Sequence, residues 1–125
     1  MPKKVITRTG VPGGTPEQRK MLDGVDATTP EPTAVEDGEL LNRNEFIHFL
    51  FRVDGVDPVF SLQIWWYSYI SGEWHRGEAL TVNNHDLVTI EVQGLDRVYL
   101  EVLGVTGTGI GPWTLDAWLA LVVPV

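Results

Sequence analysis

Three histidines, His48, His75 and His85, are the only imidazoles in the chain, and cysteine is absent. A strong zinc site needs ligands at close, regular spacing, such as two histidines one helical turn apart or a C-x-x-C pair. None of these histidines has such a partner, so the expectation is three surface or strand-edge side chains and no metal or cofactor. Asp54 and Asp57 flank Gly55. Aspartate is favoured there because its carboxylate bonds nearby backbone amides, and the further ligands that calcium requires do not follow. Ser61, Ser68 and Ser71 lack a G-x-S-x-G elbow, and no His–Asp partner can be nominated for them. The glycine-rich run 107–111 resembles a phosphate loop only superficially. Pro112 and Trp113 follow it and open a strand, whereas a phosphate loop opens a helix. No catalytic residue is expected, and the chain reads as a non-enzyme.

Tryptophan is the remaining chemical signal. Trp65, Trp66, Trp74, Trp113 and Trp118 are many for 125 residues. Strand alternation turns Trp66 and Trp113 toward the core and leaves Trp65 and Trp118, with Tyr67 and Tyr99, on the other side. Outward rings on a sheet stack on sugars or are buried against another subunit. A third option is that the N-terminal stretch of the same chain covers them. The subunit-interface reading makes Trp65, Tyr67, Tyr99 and Trp118 the anchor candidates, joined by Met21 and Leu22. A glycan platform would draw on Asn83, Asn84 and Asp86 for the hydroxyls, if they lie near.

The elements that must position these rings are strands. In Glu45–Val53, Ile47, Phe49, Phe51 and Val53 share one face, with His48 and Arg52 on the other. In Val59–Ser68, Phe60, Leu62, Ile64 and Trp66 point in, opposed by Ser61, Gln63, Trp65 and Tyr67. Glu73–Val82 is a polar strand interrupted by Gly77. Asp86–Gln93, Arg97–Val105 and Trp113–Val123 repeat the alternation, with Val88, Leu100 and Leu119 among the inward residues. Apolar residues recurring at two and not at three or four exclude helices. Polar alternation also excludes a parallel sheet buried on both faces. The expected fold is therefore all-β, an antiparallel β-sandwich of the jelly-roll or immunoglobulin-like kind, over residues 41–125.

Residues 1–40 differ. They hold none of the twelve aromatic residues and five of the eight prolines, so they offer little to bury. They read as an extended N-terminal arm with one local feature, a short helix near 16–22. Thr15-Pro16-Glu17-Gln18 supplies its N-cap, a first-position proline and a capping-box glutamine, and Gly24 would stop it. The net charge of −8 argues against nucleic-acid phosphates as partners. No apolar run approaches a membrane span, and Met1-Pro2-Lys3-Lys4 has no apolar stretch behind it, so neither a membrane nor a secretory route is expected.

Several turn signals occur in a recognisable order: Val53-Asp54-Gly55-Val56, the strand Phe60–Tyr67, the hairpin Ser68–Trp74, Gly94-Leu95-Asp96-Arg97-Val98, and Val105-Thr106-Gly107-Thr108-Gly109. In order and spacing, residues 51–123 resemble small β-sandwich virion proteins of tailed bacteriophages, of the capsid decoration or head-accessory type. Asp57-Pro58 before Phe60 and the Trp65-Trp66 pair depart from that pattern, and residues 1–40 lie outside it. The resemblance implies a structural protein made in the host cytoplasm and located in the virion, bound to the major capsid protein or other virion subunits. It also implies a homo-oligomer or symmetric array, docked through the arm. Neck, tail and head-fibre components use the same sandwiches. The alternative is a carbohydrate-binding module, or a decoration protein that also holds glycans weakly.

Overall fold

The computed structural model describes residues 14–92, 94–107 and 112–123. Among these residues eight strands form two four-stranded antiparallel sheets. They are β1 (Thr15–Val25), β2 (Glu39–Leu40), β3 (Phe46–Asp54), β4 (Pro58–Ser68), β5 (Glu73–Val82), β6 (Leu87–Glu91), β7 (Arg97–Gly107) and β8 (Thr114–Val123). The first sheet runs β1-β8-β3-β6 and the second β2-β7-β4-β5. The expected all-β sandwich is the observed fold.

The alternation dictates the packing. Ile47, Phe49 and Phe51 of β3, Leu115 and Leu119 of β8, and Phe60, Leu62 and Ile64 of β4 meet between the sheets, with Val98 and Val102 of β7. Two irregularities adjust the second sheet. Between β4 and β7, Ser61 pairs with Gly104 and Leu62 with Val102, so Leu103 is an extra residue and turns outward. Between β4 and β5 the register slips at Gln63–Trp65, beside Gly77. A Cβ on Gly77 would lie 2.2 Å from the Trp66 indole nitrogen, so the glycine that interrupts β5 makes room for a core tryptophan. The Gln63 amide closes the slip by donating to the carbonyls of Gly77 and Glu78 at 2.8 and 3.1 Å.

The N-terminal stretch corrects two expectations. The short helix near 16–22 is instead strand β1, which pairs along β8 from Thr15–Val123 to Val25–Leu115. A two-turn helix is marginal whatever its caps, while an edge strand gains a ladder of backbone bonds and tolerates Pro16. Met21 sits at a register shift, and Leu22 inserts into the common core. Residues 15–40 are thus built into the sandwich and are not an arm outside a domain that begins at 41. Residues 26–38 cross the outer face of the second sheet as a strap with a single 3-10 turn at Val35–Asp37. The Asp37 carboxylate organises that turn, accepting from the amides of Thr33 and Ala34 at 2.9 Å each. Residues 1–13 and most of the glycine-rich run, 108–111, lie outside the described residues.

Candidate functional site

Strand pairing gathers the aromatic residues on two outer faces, and the two are finished differently. On the second sheet, Trp65 of β4 lies opposite Tyr99 of β7 and Tyr67 opposite Trp74 of β5. The rings of Tyr67, Trp74 and Tyr99 make an edge-to-face chain with centroids 5.2 and 6.2 Å apart, extended by Tyr69 at 5.6 Å from Tyr67. The strap seals this cluster through main-chain carbonyls. Pro30 accepts from the Tyr99 hydroxyl at 2.8 Å, Ala34 from the Trp74 indole at 3.2 Å, and Gly38 from Arg97 at 2.9 Å. Thr29 bonds both the amide and the carbonyl of Val102, occupying the edge of β7 beyond β2. Burial holds the Tyr99 phenol above its ordinary range; the Thr29 hydroxyl pulls the other way, and the carboxylates of Asp37 and Glu101 add to the rise. Trp65 lies beside this cluster, its indole donating to Glu101 at 2.8 Å and its ring facing the Arg76 guanidinium at 5.3 Å.

Trp118 stands on the outer face of the first sheet, between Lys20 of β1 and Leu50 of β3. Two cations face its ring, the Lys20 amine at 4.7 Å and the Arg52 guanidinium at 5.3 Å from the centroid. Asp116, 4% exposed, holds those cations in place. Its carboxylate accepts from the Gly24 amide at 2.8 Å and pairs with Lys20 at 3.1 Å and Arg52 at 3.0 Å. Burial alone would raise the Asp116 pKa, yet the Gly24 amide, Lys20 and Arg52 outweigh it and hold the carboxyl below the usual carboxylate range. The same pair holds the Lys20 amine above its ordinary value.

The six interface candidates therefore separate. Leu22 is core and Met21 packs against it. Tyr67 and Tyr99 lie in the cluster that the strap seals, and Trp65 sits at its margin. Trp118 stands on the face that no other described segment crosses, half-buried by its cations. Trp113 packs against the core as its alternation implies and donates to the Val56 carbonyl at 3.0 Å. The strap realises the third option read from the sequence, the N-terminal stretch covering the rings of its own chain; its particular contacts left no residue signature because their acceptors are backbone carbonyls. Sequence reasoning missed Asp116, for which the one signal is an acidic residue at an outward position amid an otherwise apolar strand.

The remaining chemistry-bearing groups stay apart. His48 bonds Thr89, His75 bonds Ser71, and His85 accepts from the Val53 amide, each on a different part of the sandwich. Ser71 and His75 share a hydrogen bond of 2.8 Å within an exposed hairpin. Among the described residues no three His, Asp or Glu side chains converge as a metal site, and no helix is long and apolar enough to cross a membrane.

Comparison with solved structures adds one finding. The chain is similar to the SPBc2 prophage-derived protein YomS, with a TM-score of 0.54 at 14% identity over 94% of this chain and 99% of that one. A prophage protein shares this fold. Two further likenesses, to Bacillus endospore appendages described as disulfide-linked pili (16% identity) and to PirA (9%), have a TM-score of 0.36 each and carry no argument. No protein-family model and no curated protein matches the chain.

Proposed function

We propose that this chain is a non-enzymatic structural protein of a phage virion, an accessory subunit that decorates the capsid. The observation that carries this reading is the end-to-end likeness of its fold to that of a prophage-derived protein, at nearly full coverage of both chains. The engagement of the side chains supports it. The aromatic residues that could have formed a ligand platform bond to the chain's own strap, to Glu101 or to flanking cations. That arrangement favours a rigid building block over a glycan platform, which needs a bare ring face beside free hydroxyl-binding groups. Attachment through a free arm spanning residues 1–40 does not fit, because residues 15–40 are committed to the sandwich. The subunit docks by preformed surfaces, and many copies in a symmetric array turn modest contacts into firm attachment.

The test is to purify particles from an induced lysate of the strain encoding the chain and quantify the chain by mass spectrometry against the major capsid protein. A stoichiometric ratio, with copies on the capsid surface by immunogold labelling, is the expected result. Absence from purified particles overturns the proposal, and labelling confined to the neck or tail moves the subunit within the virion.

A further inference from the structure

Among the described residues nothing crosses the outer face of the first sheet, whereas that of the second is strapped. At its centre lie Ala120 of β8 and His48 of β3, directly paired, with Trp118 and Leu50 paired in the next row. At its margins Phe46 is 51% exposed and Leu87 is 61% exposed. Ala120 is the one small side chain among large neighbours. It floors a groove of about 490 Å³ that has Phe46 on one wall and Pro16 and Gln18 of β1 on the other. Glu17 and Glu45 stand at the rim of that groove.

We propose that this face is the interface of a twofold dimer, in which Phe46 of each copy enters the hollow over Ala120 of the other. Three properties select a second copy of the chain as the occupant. The face carries both a projecting ring and a hollow, and a twofold axis brings each onto the other, as an isologous contact requires. Its cations are already paired within the face, Lys20 with Asp116 and Asp23 and Arg52 with Asp116 and Asp54, so the occupant need not supply complementary charge. The area is sufficient but small. Four strands about 4.8 Å apart and roughly 25 Å long present about 500 Å² per copy, hence about 1,000 Å² in total, the lower bound for a specific interface. The dimer is correspondingly weak in solution and becomes useful where copies are concentrated on a surface.

Sedimentation equilibrium of the full chain from about 5 to 500 μM tests this, a range that brackets micromolar affinity. A concentration-dependent monomer–dimer equilibrium is expected. Ala120→Glu, which fills the hollow with a charge, and Phe46→Ser, which removes the ring, should each raise the dissociation constant at least tenfold. Leu103→Glu, on the outer face of the second sheet, should leave it unchanged. Far-UV circular dichroism and melting curves establish that each variant is folded; Phe46 is exposed, so its variant remains informative if Ala120→Glu is not. A monomer at every concentration, or a dimer indifferent to both substitutions, overturns the proposal. The presence of the chain in particles is measured separately, so a monomeric chain in virions removes the dimer and leaves the virion assignment standing.

Discussion

Asp116 shows how one outward carboxylate ties an edge strand to a sheet. It meets the amide of Gly24, a residue with φ of 58°, and cations from β1 and β3, so it holds three strands in register. Asp116→Asn keeps the shape and loses the charge-assisted bonds, which are worth about 1.5–3 kcal/mol each when partly buried. Because Lys20 and Arg52 are solvent-accessible and recover hydration, the expected net loss is about 2 kcal/mol in chemical denaturation. The pH dependence has a definite sign. A carboxyl with a folded pKa below its unfolded value of about 3.9 contributes stability above that value and loses it as pH falls through the folded pKa. Wild-type stability should therefore fall below about pH 4, and Asp116→Asn should flatten that fall. An identical acid limb in both proteins would remove Asp116 as its cause. Arg43 gives the opposite case. Asn42 and Arg43 have φ of 53° and 61° in the turn closed by the Asn44 amide on the Leu41 carbonyl. Asparagine tolerates that region, while arginine is strained by about 1 kcal/mol. Arg43→Gly should therefore raise the melting temperature by a few degrees.

At the scale of elements, the strap tests whether the second sheet's aromatic face needs its cover. A Cβ on Gly38 would lie 2.3 Å from the Trp74 ring and 3.0 Å from the Val98 carbonyl. Gly38→Ala therefore forces the strap and the indole apart, with an expected cost of about 1–3 kcal/mol and a red shift of tryptophan emission. Gly104→Ala, where a Cβ meets nothing within 4 Å, is the matched control and should change stability by less than about 0.5 kcal/mol. Tyr99 fixes the other end of the strap. A phenol with a folded pKa above its unfolded value of about 10 contributes stability below that value and loses it as pH rises through the folded pKa. The strap should loosen in alkali. Tyr99→Phe should cost about 1 kcal/mol at neutral pH and abolish the alkaline limb. Elements such as β3 and β4 were legible in the sequence because Ile47-x-Phe49-x-Phe51 and Phe60-x-Leu62-x-Ile64 alternate strictly over a buried face. The strap was legible only as one option among three, since proline carbonyls and a glycine contact make a cover only once β5 and β7 bring Trp74 and Tyr99 together.

For the whole molecule the decisive feature is that β1 closes the first sheet. Its apolar residues, Met21, Leu22 and Val25, do not alternate, because the register shifts at Met21 and again before Val25. Local sequence signals therefore favoured a capped helix, and only pairing with β8 reveals a strand. The consequence is a fold that does not divide at residue 41. Removing residues 1–25 leaves the β8 edge unpaired and a gap in the core where Leu22 was, a deletion expected to cost upward of about 3–5 kcal/mol in an ordinary marginal domain. The truncated chain should be insoluble or open to proteolysis. In the intact chain, trypsin reports the same thing directly. Arg19 and Lys20 lie within β1, paired with Leu119 and Trp118, so cleavage there requires the edge strand to leave the sheet. Cutting at these two sites should proceed only as fast as cooperative unfolding and should slow with every stabilising substitution, Arg43→Gly included. Rapid cleavage that leaves a folded fragment starting after residue 20 would mean that β1 detaches independently, and the sandwich would then have seven working strands beside a separable edge.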